Sequence, residues 1–419
     1  MAVPLSYNLR NLVERKGTTL MTAVGIGLTV AVLIVSVAMT VGLNSVFAGS
    51  GDPRQLLVMR TGTDAELTST VSNETYQIVR RLPGVAVDKS GEPMVSPEAI
   101  TVVNLPSVDS PEGMNVTVRG LLPVGVGMRP MEIIAGRAFT PGLREIVVGE
   151  SIAKRYPAAQ IGKEVRFGRG MWKVVGVFRV GETAANSEMW ADLDQLRGDF
   201  ERAGGSSSLL VRLDVPADKA EQDIAAAAAK PKPVAAGTVP NEKDKPQPDF
   251  ARSFADVVTG DQRLNAGVTT EKAYYANLTS SGIPLLTLGY LVAVIMAVGS
   301  GFAATNTMYA AVARRKREIA TLRALGFGRG AILLSFVLES VCLALVGGLL
   351  GVLLALPVNG LTTGVGSFAT FSETAFKFRV TPFAIGIGLT FSVVIGVLGG
   401  LLPAWAAART NLVLAMREN

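Results

Sequence analysis

Carboxylates, guanidinium groups and amides carry most of the chemistry open to this chain. Its 419 residues include no histidine, and one cysteine, Cys342, inside an apolar run. Without histidine there is no Ser-His-Asp or Cys-His catalysis and no histidine-ligated metal, and a single cysteine excludes thiolate zinc sites. No G-x-x-x-x-G-K-[ST] occurs, so these residues hold no phosphate-cradling P-loop. The glycine-rich Gly326–Gly330 stretch lacks the P-loop lysine and a preceding strand, and reads as a helix stop and restart. Scattered acids between residues 49 and 283 show no paired acid/base spacing and read as solvated surface. Catalysis by this chain is therefore not expected, and neither is a cofactor or metal bound by it.

Two polar residues sit inside apolar runs, where an amide or carboxylate is costly and informative. Glu339 lies about 12 Å from the start of its run at 1.5 Å per residue, close enough to meet a basic loop residue or interfacial water, and a structural pairing is expected rather than a proton relay. Asn306 is expected to hydrogen-bond between helices. Small residues recur four apart at Gly347 and Gly351 and at Gly396 and Gly400, a spacing that lets helices approach closely. A third feature is the stretch 314–330, which carries six Lys/Arg: Arg314, Arg315, Lys316, Arg317, Arg323 and Arg329. Between them Ile319, Leu322 and Leu325 fall about one turn apart, with Gly326 as a C-terminal stop. The spacing predicts a short amphipathic helix that needs a surface, either the membrane interface or a partner protein, because helices of this length are marginal alone in water.

The elements that must carry these residues follow from hydropathy. The chain is 49% apolar with a mean hydropathy of +0.38, unevenly spread. Runs at 18–48, 284–313, 331–357 and 382–408 each exceed the ~20 residues needed to span a bilayer core. The first is too long for a cleaved signal peptide and is read as an anchor. Lys/Arg in the short flanks place residues 1–17, 314–330 and 409–419 in the cytoplasm, with 49–283 and a short loop at 358–381 outside. Residues 49–283 contain 27 basic and 29 acidic residues. The net charge of +6 is thus a topology signal and not a nucleic-acid-binding patch. The first two runs are long enough to tilt or to continue outward as a stalk.

The outer segment reads as mixed α/β. A capped helix is expected at 72–84, a hairpin at 163–178 with Val165, Phe167, Trp172 and Val174 on one face, and a Pro- and charge-rich loop at 231–249. Halves at about 50–104 and 206–283 flank an insertion at about 105–205. The expected fold class is thus a four-helix membrane domain plus an α/β extracytoplasmic domain with an inserted subdomain.

Residues 306–340, 8–28 and 401–417 resemble the hallmark segments of MacB/FtsX-type ABC transporter permeases, and 129–178 is similar to the MacB-type periplasmic core domain. The resemblance implies a non-catalytic permease subunit of the inner membrane that works by mechanotransmission. A separate cytoplasmic ATPase would bind ATP and Mg²⁺ and engage Glu318, Ile319, Ala320, Thr321, Leu322, Arg323, Ala324, Leu325 and Gly326. Its motion would reach a porter-like outer domain that exports or extracts a substrate. A second permease copy, membrane lipids and, in tripartite systems, a periplasmic adaptor and outer-membrane channel are the implied partners. Two alternatives stay open: an FtsX-like regulator of a cell-wall hydrolase, and a membrane scaffold or receptor unrelated to ABC transport.

Overall fold

The computed structural model of the chain describes residues 16–108, 110–201, 204–228, 248–280, 283–367 and 370–409. All but the last two residues of the loop expected at 231–249 lie outside these, as do residues 1–15 and 410–419. The described chain opens with α1 (Lys16–Ala48), β1 (Gln55–Arg60), β2 (Val71–Ser72), α2 (Asn73–Val79) and β3 (Val95–Leu105). Next come β4 (Met114–Leu121), α3 (Pro123–Gly127), β5 (Glu132–Gly136), β6 (Glu145–Gly149), α4 (Glu150–Arg155), β7 (Glu164–Phe167) and β8 (Gly170–Arg179). They are followed by β9 (Glu188–Asp192), α5 (Leu193–Asp199), β10 (Gly205–Ser206), β11 (Ser208–Arg212), α6 (Ala217–Ala228), α7 (Asp249–Gly260), β12 (Ala266–Thr270) and α8 (Glu271–Ser280). The chain closes with α9 (Ile283–Arg314), α10 (Lys316–Ala324), α11 (Arg329–Ala355), β13 (Thr362–Gly366), β14 (Glu373–Lys377) and α12 (Pro382–Ala408).

These elements form two compact units. One comprises Met1–Gly42, Ile283–Thr362 and Lys377–Asn419, the other Leu43–Gly282 and Thr363–Phe376. In the first, α1, α9, α11 and α12 provide four spans of 27 to 30 residues with the length and hydropathy of membrane helices. Glycine sets their spacing. A Cβ on Gly347 would lie 2.8 Å from the Ala23 carbonyl, and one on Gly351 2.6 Å from that of Gly27, so α11 meets α1 backbone to backbone. Gly396 and Gly400 bring α12 against Ala344 and Ser340 of α11, and the Ser340 hydroxyl donates to the Gly396 carbonyl at 2.7 Å. Both glycine pairs therefore pack helices within one chain. By contrast α9 exposes Leu291, Ile295, Val298 and Phe302.

The second unit is built on a ten-stranded sheet of order β12-β1-β11-β3-β4-β9-β6-β8-β5, with β7 pairing β8. Its two halves share β3. Residues Val95–Glu98 pair with β11, and Ala99–Leu105 pair with β4. The partner switch thus falls at Glu98–Ala99, ahead of the 104/105 boundary expected from the sequence. Each half has its own core. Leu56, Val58, Val211, Phe254 and Val258 fill the first, and Val118, Ile146, Trp172, Val174 and Met189 the second. In the β7–β8 hairpin Val165, Phe167, Trp172 and Val174 are all buried, with the Phe167 and Trp172 rings stacked at 5.0 Å. Helix α2 starts on a Ser72 cap, whose hydroxyl accepts from the Thr75 amide, and stops at Val79, short of the expected Pro83-Gly84. The span 358–381, read as a plain loop, instead holds the paired strands β13 and β14.

Candidate functional site

Between α9 and α11 the chain makes an elbow. Arg315 leaves helical geometry at φ −107° and ψ 15°, and α10 begins at the next residue. The Arg315 side chain turns inward and its Nη1 donates to Glu339 Oε2 at 2.9 Å, with both groups about 5% exposed. Glu339 therefore meets a basic residue of the 314–330 stretch, as its depth in the helix suggested. Ile319 and Ala320 are buried at 2% and 1%. Ile319 packs with Met308 and Val312 of α9, Ile332 and Phe336 of α11, and Ala404 of α12.

This corrects the expected outward stripe of Ile319, Leu322 and Leu325. At 3.6 residues per turn, steps of three fall short of a full turn by about 60° each, so Leu325 lies about 120° around the helix from Ile319. Ile319 is an anchor, Leu322 is half-buried, and Leu325 is 69% exposed beside exposed Arg317, Glu318, Thr321 and Ala324. Arg323 is half-buried. Gly326, at φ +96°, ends the helix. Its N–H donates to the Arg323 carbonyl and that of Phe327 to Leu322, both at 3.1 Å, forming a Schellman stop. Asn306 is exposed on α9, and α1 and α9 are joined instead by hydroxyl bonds between Thr22 and Thr307 at 2.9 Å and from Thr29 to Ser300 at 3.4 Å.

The acids between residues 49 and 283 were read as surface, but Glu66, Glu98, Glu145, Glu188, Asp192, Asp199 and Glu271 are buried, and four of these meet Arg119 and Arg129. Arg119 of β4, 3% exposed, donates to Glu66 at 3.0 Å, Glu98 at 2.6 Å and Glu188 at 2.8 Å. Arg129 donates to Glu98 at 2.6 Å and approaches Glu271 at 3.9 Å. The two arginines belong to the half beyond the β3 switch, while Glu66, Glu98 and Glu271 belong to the first half. The ion pairs therefore bridge the seam of the sheet. Burial alone would raise the Glu66 carboxyl, but the Arg119 guanidinium, helped by the Ser208 hydroxyl and Arg129, holds Glu66 below the usual carboxylate range. Glu271 goes the other way. Burial pushes it up, and Arg129 with the Asp52 N–H, at 2.9 Å, only partly offsets that. Hydrogen-bonded to Arg119, and Glu98 also to Arg129, Glu66 and Glu98 are suited to holding two halves together rather than to acid/base work. The single sequence hint was a lone arginine closing the apolar strand pattern of residues 114–120.

Two family models match the chain: the MacB-like periplasmic core domain over residues 19–228 and the FtsX-like permease C-terminal over residues 290–412. The uncharacterized ABC transporter permease YknZ of Bacillus subtilis (strain 168) is 25% identical over 430 residues, covering 98% of this chain and 97% of that protein. The macrolide export ATP-binding/permease protein MacB of Chromobacterium violaceum is 37% identical over 137 residues, which is 33% of this chain and 20% of that protein. Among solved structures, the periplasmic region of MacB from Actinobacillus actinomycetemcomitans aligns with 54% of this chain and 92% of its own at a TM-score of 0.35 and 11% identity. Four membrane-grade helices, a divided α/β unit and matches covering both parts agree: the chain belongs to the MacB/FtsX-type ABC transporter permeases.

Proposed function

We propose that this permease receives ATP-driven motion from a separate cytoplasmic ATPase at α10 and passes it to the extracytoplasmic α/β unit, which exports or extracts a substrate. ATP and Mg²⁺ would be held by the ATPase, both chain termini would be cytoplasmic, and a second permease copy would complete the machine. The observation that carries this reading is the division of α10 into two faces. Its exposed face offers Leu325, Arg317 and Glu318 to a partner, while Ile319 and the Arg315–Glu339 pair tie the same helix to α9, α11 and α12. A load applied to the outer face is thereby delivered to the membrane helices and not absorbed by a loose loop.

The test separates the two faces. Leu325→Asp combined with Leu322→Asp should abolish co-purification of an ABC ATPase from native membranes while the permease still inserts and melts normally. Ile319→Asp should instead lower the melting temperature of the purified permease, because it buries a carboxylate among Met308, Ile332 and Phe336. An ATPase that still co-purifies with the double variant, with transport intact, would overturn the assignment.

A further inference from the structure

Residues Thr363–Phe376 of the hairpin β13–β14 belong to the α/β unit, while its end residues Thr362 and Lys377 fall in the unit of the membrane helices α11 and α12. Residues 378–381 alone separate β14 from α12. Phe378 N–H donates to the Leu361 carbonyl at 3.0 Å, Gly360 N–H to that of Phe378 at 2.9 Å, and Val380 N–H to Asn359 Oδ1 at 2.9 Å. The ladder of the hairpin is thereby prolonged almost to the helix ends.

At its other end the hairpin grips the half of the sheet beyond the β3 switch. Glu373 is 5% exposed. It pairs with Arg155 at 2.6 Å and accepts the Tyr156 hydroxyl proton. Thr117 Oγ1 donates to Ser372 Oγ at 2.8 Å, and the Ala375 N–H donates to Ser187 Oγ at 2.8 Å. A side chain on Gly364 would overlap the Glu373 carboxylate, so the opposite strand is shaped to this buried pair.

The grip falls next to the seam. Thr117 and Arg119 lie on the same face of β4, being two residues apart, and Arg119 bridges the halves through Glu66 and Glu98. A cavity of about 40 Å³, with room for water, is lined by Phe47, Arg119, Glu188, Leu278, Ser372 and Glu373. The two halves are also tethered differently. By chain continuity the first follows α1 through residues 49–54, where Ser50 Oγ also accepts the Ala184 N–H of the second half at 2.9 Å, and leads to α9 through α8, whereas β13–β14 joins the second half to the chain of α11 and α12.

We propose that β13–β14 is a strap through which α11 and α12 pull on the second half of the α/β unit, so that the unit opens at Glu98–Ala99 with Arg119 as its latch. The source of force is the ATP-driven motion proposed above, but the strap can be tested without it. Full-length protein in nanodiscs, with no ATPase or nucleotide and with Cys342→Ser, would carry spin labels at Glu74→Cys and Met171→Cys, one exposed position on each half. Releasing the strap with Glu373→Gln should speed amide exchange at 373–376 about tenfold or more and broaden the distance distribution across the seam. A cross-link from Thr117→Cys to Ser372→Cys should narrow that distribution relative to its open form, the two hydroxyl oxygens standing 2.8 Å apart. The proposal is overturned if hairpin exchange rises with no change across the seam, or if exchange does not rise at all. Should Glu373→Gln not fold, an unchanged distribution on oxidation of the cross-link variant overturns it alone. Loss of the ATPase reading would show in co-purification and leave this measurement untouched.

Discussion

Replacing Arg119 with methionine keeps most of the side chain's volume and removes the charge that three buried carboxylates share. Glu66, Glu98 and Glu188 stand 2.6 to 3.0 Å from its guanidinium, and none is more than 10% exposed at the side chain. Breaking a buried ion pair from one side costs about 3–5 kcal/mol, because the stranded charge remains out of water. In a unit of this size each kcal/mol moves the melting temperature by about 2–4 °C, so the loss should be about 6–20 °C at neutral pH. The defect must also depend on pH in a definite direction. In the parent, Arg119 depresses the folded-state value of Glu66 below its ordinary 4.5. The stability this gives is present above 4.5 and lost as pH falls through the depressed folded value. Arg119→Met removes that term, so the gap between variant and parent should be widest near pH 7 and close toward pH 4 and below. Tryptophan fluorescence during thermal unfolding of the full chain in detergent reads this directly, since Trp190 Nε1 donates to Glu188 at 2.8 Å and its ring stacks on Phe178 at 4.2 Å. Arg263→Ala is the control: its pair with Asp261 is as short, at 2.6 Å, but Arg263 is 77% exposed, and the melting temperature should stay within about 2 °C. A change that small for Arg119→Met, or a gap that widens as pH falls, would refute the reasoning.

Glu339→Gln should lower the detergent melting temperature of the permease by stranding the buried Arg315 charge, and Arg315→Met in the same chain should recover much of the loss. Glu271 is held above its ordinary 4.5, so the stability it confers is present below 4.5 and lost as pH rises through its folded value. Glu271→Gln should therefore gain on the parent as pH is raised from 5 toward 8, and a variant that instead falls behind at high pH would count against the burial argument. In a Cys342→Ser background, an impermeant thiol reagent on intact cells should label Ser90→Cys and not Lys316→Cys. The reverse pattern would invert the proposed orientation.

The features legible in the sequence are those with a local period. Four apolar runs are long enough to need no tertiary information, and each ends within two residues of its helix. The β7–β8 hairpin was readable because Val165, Phe167, Trp172 and Val174 alternate around a tight turn. The latch was not readable, because its members arrive from separate strands and helices. Glu66, Glu98, Arg119, Glu188 and Glu271 are brought together only by sheet order, and no spacing along the chain marks them as partners. The strap was missed for a related reason. Residues 362–377 are rich in glycine, serine and threonine, and what makes them strands is the hairpin's own pairing and its grip on Arg155, Tyr156, Thr117 and Ser187.

The case of α10 shows how a correct element can still mislead about its face. The stop at Gly326 and the apolar series are both local, and both are present. Which apolar residue is anchor and which is contact depends on the rotation of the helix, and a nine-residue helix has too few turns for its own pattern to settle that. Here the rotation is set from outside, by Arg315 reaching Glu339 on α11 and by Ile319 seated among three membrane helices. A receiver of mechanical load needs both a grip on its own bundle and a surface for its driver, and three apolar residues spread over 120° supply one of each. The amphipathic signal in the sequence was therefore the superposition of two smaller ones, an inward anchor at Ile319 and an outward contact at Leu325, with Leu322 at the edge between them.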